Sequence, residues 1–134
     1  PLSDVKCDIQ NMPFEDNTFD VIFCNHVLEH VADDNKAMSE LYRVMKPGGF
    51  GIFQVPIDYK RESTLEDPSI TSEEDRVKHY WQKDHVRLFG LDYPVKLEAV
   101  GFKAQRIDVA NEVGPELKDR YCLGDSDKVY RVDK

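Results

Sequence analysis

Two apolar runs separated by one amphipathic segment constrain this chain more than any other feature. Phe19-Asp20-Val21-Ile22-Phe23-Cys24 is compact, β-branched and aromatic, and reads as a strand buried on both faces, as in a parallel sheet. Ala37, Leu41, Val44 and Met45 then recur at helical spacing, with Glu40 and Arg43 on the opposite face. Asp33 or Asp34 caps that helix, placing negative charge at its positive end. Lys46-Pro47-Gly48-Gly49 stops it, a cation followed by residues that cannot continue a helix. Phe50 to Val55 is a second strand, closed by Pro56. Strand, helix and strand with short connections make a βαβ unit, which requires a right-handed crossover and a parallel pair.

The flanking segments are weaker. Val5 to Ile9 alternates and reads as the end of a strand, broken by Met12-Pro13-Phe14. Residues 57–84 are charged and aperiodic, and a connection of that length is either disordered or a functional lid. Asp92 caps a short helix carrying Val95, Leu97 and Val100 and ending at Gly101. Phe102 to Val109 and Lys128 to Val132 read as two strands, with a helix opened by Pro115 between them.

Composition narrows the function. The chain of 134 residues carries 18 basic and 26 acidic side chains, a net charge of −8. The basic residues are scattered, which argues against nucleic acid as the main partner, since phosphate binding needs them clustered. No run approaches the ~20 apolar residues of a membrane span, and no basic-then-apolar leader opens the sequence. Its first residue is Pro1 rather than Met, so the natural start is expected to be missing. Cys7, Cys24 and Cys122 are too few and too far apart for a disulfide framework, which points to a reducing, cytoplasmic setting. Cys7 and Cys24 lie in apolar runs and are expected to be small buried hydrophobes.

The stretch after the first apolar run asks for chemistry. His26-Val27-Leu28-Glu29-His30 spells H-x-x-E-H, an inverted zinc-protease pattern. Zinc needs a third ligand, and no Cys, His or carboxylate cluster follows at ligand spacing, so no metal is expected. Polar residues directly after a buried parallel strand fit another use. In open α/β sheets ligands bind outside the carboxyl ends of the strands, where Asp8, Asn25 and His26 all fall.

The order of blocks closely resembles class I S-adenosylmethionine-dependent methyltransferases of the small-molecule "type 11" group. The blocks are Asp8 through Ile22, His26 through Val31 and Leu41 through Gly49, with His85 through Phe89 and Val100-Gly101-Phe102 similar to its C-terminal half. The resemblance implies that Asp8 accepts from the adenine amino group and that the Ile9 N–H meets the adenine ring. Asn25 and His26 would lie beside the methionine part of the cofactor, with Val27 and Leu28 closing the apolar wall. His26 and His85 are candidate bases, His79 with His85 a lid-region candidate for a base or substrate contact, and residues 57–92 the lid and substrate region of a single partial domain, 1–134. The cofactor implied is S-adenosylmethionine and the partner a small-molecule acceptor, with neither nucleic acid nor membrane involved.

Against the family's strand order, 3-2-1-4-5-7-6, the glycine-rich loop after strand 1 and the acidic residue after strand 2 have no counterpart ahead of Asp8. The expected architecture is therefore a truncated Rossmann-like α/β sheet. Strands 4-5-7-6 keep their covering helices, and a strand 3 segment near Val5–Cys7 stands without a neighbour. Strand 4 would become an apolar edge open to pairing. Such a chain would be part of a longer enzyme and alone would bind cofactor weakly or not at all. The alternatives are a non-catalytic interaction module of the same fold, dimerising through that edge, and a zinc hydrolase using His26, Glu29 and His30.

Overall fold

The computed structural model describes residues 4–124 and 128–134. Four strands form one mixed sheet: β1 (Phe19–Asn25), β2 (Met45–Gln54), β3 (Lys103–Asp108) and β4 (Lys128–Asp133), in the order β1-β2-β4-β3. β1 and β2 run parallel, and β4 is antiparallel to both of its neighbours. This is the expected 4-5-7-6 order. Among the described residues five helices accompany the sheet: α1 (Asp34–Val44), α2 (Glu73–Tyr80), α3 (Tyr93–Ala99), α4 (Val109–Glu112) and α5 (Pro115–Arg120).

α1 forms where the apolar period places it. Asp33 is the N-cap, its Oδ1 accepting from the Lys36 N–H at 2.9 Å, while Ala37, Met38, Leu41 and Val44 bury the inner face. The polar face is also used. Glu40 accepts from the Met12 N–H at 2.8 Å, and Arg43 donates to the Phe14 carbonyl at 2.7 Å and to Asp16 at 2.8 Å. These bonds strap residues 12–16 along the helix.

β2 starts five residues earlier than its apolar pattern suggests. Met45 leaves the helix in an extended conformation and already pairs with Phe19, and the register with β1 then shifts before Val21 meets Phe50. The Lys46-Pro47-Gly48-Gly49 run is thus an irregularity within the strand. Gly48 has φ +79°, and a Cβ on Gly49 would stand 2.8 Å from the Asp20 carbonyl oxygen.

The core lies on one face of the sheet. Cys24 and Phe53 pack against Met38 and Leu41 of α1 and Tyr93 and Leu97 of α3, together with Phe102, Tyr130 and Val132. The Tyr93 hydroxyl donates to the Phe53 carbonyl at 3.2 Å. The other face of β1 is open: Phe23 is 69% exposed and Val21 40%. β1 is therefore not buried on both faces: among the described residues no helix covers the face that carries Val21 and Phe23. Val5 to Ile9 forms no strand for lack of a neighbour, and its one ladder contact is the Asp8–Asn11 bridge. Cys7, lacking that cover, is exposed, whereas Cys24 is buried and burial pushes its thiol up to about 12.

Residues 57–92 form an ordered excursion. Ser72 caps α2, and Tyr80 is fully buried with its hydroxyl accepting from the Asp67 N–H at 2.9 Å. Bridges Ile57–Phe89 and Leu65–Leu88 close the excursion on itself. Asp92 precedes α3 but does not cap it; its carboxylate instead accepts from the Thr64 N–H and hydroxyl, both at 2.8 Å.

Candidate functional site

The site is built where β1 ends. Asn25 pairs with Gln54 across the ladder, and the His26 N–H extends that ladder to the Gln54 carbonyl at 2.8 Å. His26 then takes φ +55°, a left-handed conformation rare for a side chain without special cause. This kink turns the chain sharply off the strand. Val27 packs on the core, Leu28 is fully buried, and the imidazole of His26 stays 66% exposed at the mouth.

Asp8 and Ile9 lie in a tight turn, closed by the Asn11 N–H donating to the Asp8 carbonyl at 3.0 Å. The Asp8 Oδ1 accepts from the Gln10 N–H at 2.9 Å and from Gln10 Nε2 at 3.2 Å. These bonds hold the Asp8 carboxyl below the usual range. The Gln10 Oε1 in turn accepts from the Asp33 N–H at 2.9 Å, tying the turn to the residue that caps α1. Ile9 and Met12 pack against the same core as Val27 and Val31. Of the residues singled out in the sequence, Asn25, His26 and Val27 open the connection between β1 and α1, while Asp8 is tied through Gln10 to Asp33 at its far end and Ile9 packs on the same core.

A second group was not legible as a group. Arg87, fully buried, donates to the Leu28 carbonyl at 2.8 Å and the Ala32 carbonyl at 3.0 Å, and to both oxygens of Glu66 at 3.2 and 3.0 Å. The Val86 N–H donates to the Glu29 carbonyl at 2.9 Å. Together these bonds clamp the 57–92 excursion onto the 26–32 connection. They also bring His85 beside His30, with ring centroids 4.7 Å apart in an edge-to-face arrangement. Glu29 lies between the histidines, 1% exposed, with His26 Nδ1 at 3.3 Å and His30 Nε2 at 4.0 Å from its Oε1. One donor atom each from Glu29, His30 and His85 falls within 4.8 Å of the others. The expectation that no third donor accompanies the H-x-x-E-H motif fails here, because His85 arrives by a long-range contact that sequence spacing does not carry. His79 stands apart on α2.

Beside the excursion, a cleft of about 330 Å³ is lined by Ala32, Glu66, Asp67, Ile70, Arg76 and Val86 among others. The Nε of Arg76 is buried there without a hydrogen-bond partner among the described residues. No described helix is long and apolar enough to cross a membrane.

Comparison with known proteins bears on the fold. Residues 2–53 match the family model described as "Methyltransferase domain". Sterol 4-C-methyltransferase strm-1 of Caenorhabditis elegans is 49% identical over 45 residues, 34% of this chain and 14% of that protein. The ubiquinone/menaquinone biosynthesis C-methyltransferase UbiE of Idiomarina loihiensis is also 49% identical over 45 residues, 34% of this chain and 18% of its own length. The matched segment thus spans less than a fifth of either relative. Among solved structures, a SAM-dependent methyltransferase of Thermotoga maritima, described as a possible histamine N-methyltransferase, superposes with TM-score 0.55 at 20% identity. It covers 96% of this chain and 61% of that one. The fold is that of the class I methyltransferases.

Proposed function

We infer, from a chain that carries this fold and the sequence signature of a methyltransferase domain, that it forms the adenine- and methionine-side half of an S-adenosylmethionine site. The parent activity is methyl transfer to a small-molecule acceptor. One observation carries the reading: the Asp8–Gln10 turn is fastened through Asp33 to the connection that begins at Asn25. The reading puts these two segments at a single mouth, outside the carboxyl end of β1.

The residues present fit the cofactor. Both bonds from Gln10 fall on Asp8 Oδ1, which leaves Oδ2 free to accept from an amino group. Ile9 and Val27 offer partly buried apolar surface, and Asn25 and His26 offer exposed polar atoms. When bound, S-adenosylmethionine supplies an activated methyl on a sulfonium. The protein's part is positional: holding the acceptor in line with that methyl provides most of the acceleration. His26 is the exposed base candidate at the mouth, of use where the acceptor must lose a proton, whereas His85 is buried. Residues 57–92 serve as lid and acceptor wall, their cleft adjoining the connection at Ala32. The names of the relatives favour apolar ring acceptors, sterol or quinone precursors. Three free cysteines support a cytoplasmic setting.

Calorimetric titration with S-adenosylhomocysteine tests the reading. The 134 residues include no G-x-G segment ahead of Asp8, so the expected dissociation constant is on the order of millimolar, weakened further by Asp8→Ala and Asn25→Ala. Binding that both variants leave untouched contradicts the assignment. A second reading, a module that pairs through β1, is favoured by the 69% exposure of Phe23 on the edge strand. Sedimentation equilibrium separates the two, since only the module requires a dimer.

A further inference from the structure

We infer that Glu29, His30 and His85 form a site for one divalent first-row transition cation, with His26 as a fourth donor at its open side. The site stands on its own geometry and does not depend on the methyl-transfer reading.

Glu29 poses the problem that the cation solves. Its side chain is 1% exposed, and neither carboxylate oxygen makes a hydrogen bond among the described residues. Buried polar groups in native structures are almost always paired, so each exception calls for a partner. Arg87, the buried cation of this region, is already committed to Glu66 and to three carbonyls of the connection. What faces Glu29 instead is imidazole.

The histidines are set as ligands. His85 Nδ1 lies 2.8 Å from the Tyr80 carbonyl oxygen, and His30 Nδ1 lies 3.3 Å from the Asp84 carbonyl oxygen and 3.4 Å from the Asp84 carboxylate. A carbonyl only accepts, so Nδ1 carries the proton in both rings and each Nε2 keeps a lone pair. Metal-bound histidines show this arrangement, with the remote N–H held by a carbonyl or carboxylate that fixes tautomer and ring orientation. The Nε2 of His30 is the atom 4.0 Å from Glu29 Oε1.

Distances are close to those required. Ligands about 2.1 Å from a common ion are at most about 4.2 Å apart, and the three donors lie within 4.8 Å of one another. Small torsions of the carboxylate and one ring close the difference. The scaffold is held from both sides, by the Val86 N–H on the Glu29 carbonyl and by Arg87 on Leu28 and Ala32. Two imidazoles and one carboxylate suit manganese through zinc better than magnesium or calcium, which take oxygen shells. Access is from the mouth, where His30 is 31% and His26 66% exposed.

The test is titration of the chelator-stripped chain with Co²⁺, read by its visible ligand-field absorption, with Zn²⁺ as competitor. One Co²⁺ per chain is expected, displaced by one Zn²⁺. Glu29→Gln and His85→Asn are each expected to weaken binding by about 100-fold or more, at or beyond the 10–100-fold typical of losing a supporting group alone. His79→Gln is expected to leave it unchanged. No visible band, or equal binding by both variants, overturns the site. Should either variant fail to fold, wild type decides alone. Long-range ¹H–¹⁵N spectra of its four histidines must show Zn²⁺ acting on the Nε2 atoms of His30 and His85. Changes confined to His79, or no change, overturn the proposal.

Discussion

Replacing Arg87 by Met removes the clamp between the 57–92 excursion and the connection after β1 while keeping most of the side-chain volume. The guanidinium is fully buried, and every polar atom it satisfies is left behind. Those atoms include the carbonyls of Leu28, Val31 and Ala32 and the carboxylate of Glu66. Asp34, 5% exposed and 3.7 Å from Arg87 Nε, then keeps Lys96 at 3.0 Å. Removing one partner from a buried charge pair costs about 3–5 kcal/mol. With a urea m-value of about 1–3 kcal/mol/M, the midpoint should fall by roughly 1–5 M. Circular dichroism at pH 7 measures it. Amide exchange adds a local readout, because the Val86 N–H bonded to Glu29 should lose protection before α1 does. Arg87→Lys should recover less than half of the loss, since one ammonium cannot reach the positions a planar fork serves. An Arg87→Met variant within about 1 kcal/mol of wild type, with Val86 still protected, refutes the claim that this residue holds the site together.

Other outcomes are equally specific. Gly101 has φ +115°, and an added Cβ would meet the Tyr42 ring at 2.8 Å, so Gly101→Ala should destabilise by about 1–3 kcal/mol in thermal unfolding. Phe23→Lys, on the open face of the edge strand, should change stability by less than about 0.5 kcal/mol yet lower self-association in light scattering; an unchanged association constant dismisses edge pairing. Glu40 is held down to about 2, first by its hydrogen bond from Arg43. A depressed carboxyl stabilises fully above its unfolded value and loses that contribution as pH falls from about 5 toward 2. The stability difference between pH 7 and pH 3 should therefore be smaller in Glu40→Gln than in wild type, and denaturant titrations at both pH values measure it.

What sequence reading captured was local or followed from local rules. α1, its Asp33 cap and the parallel β1–β2 pair follow from periodicity, capping and crossover geometry, which act within some 40 residues. The strand order came through the resemblance, which carries long-range information that periodicity lacks. The early start of β2 was hidden because Pro47, Gly48 and Gly49 look like a helix stop, and here they are accommodated as a strand irregularity. α2 is masked by its charge and weak apolar period, although Ser72 followed by Glu73, Glu74 and Asp75, with Lys78 and His79 at the far end, is a full set of helix-terminus signals. Cys7 sits in an apolar run that suggests burial, yet it is exposed because no strand lies beside it. The meeting of Glu29, His30 and His85 depends on tertiary contacts made by Val86 and Arg87, and no spacing rule contains them.

The central claim is that Asp8 and Ile9 share one nucleoside-binding mouth with Asn25 and His26. Amide chemical-shift mapping of the ¹⁵N-labelled chain, titrated with S-adenosylhomocysteine, tests it most directly. The account predicts that the largest shifts fall on Asp8–Gln10 and Asn25–Leu28 together, on one binding curve. Shifts centred on β3, β4 or α5, or two groups titrating with different constants, would contradict it.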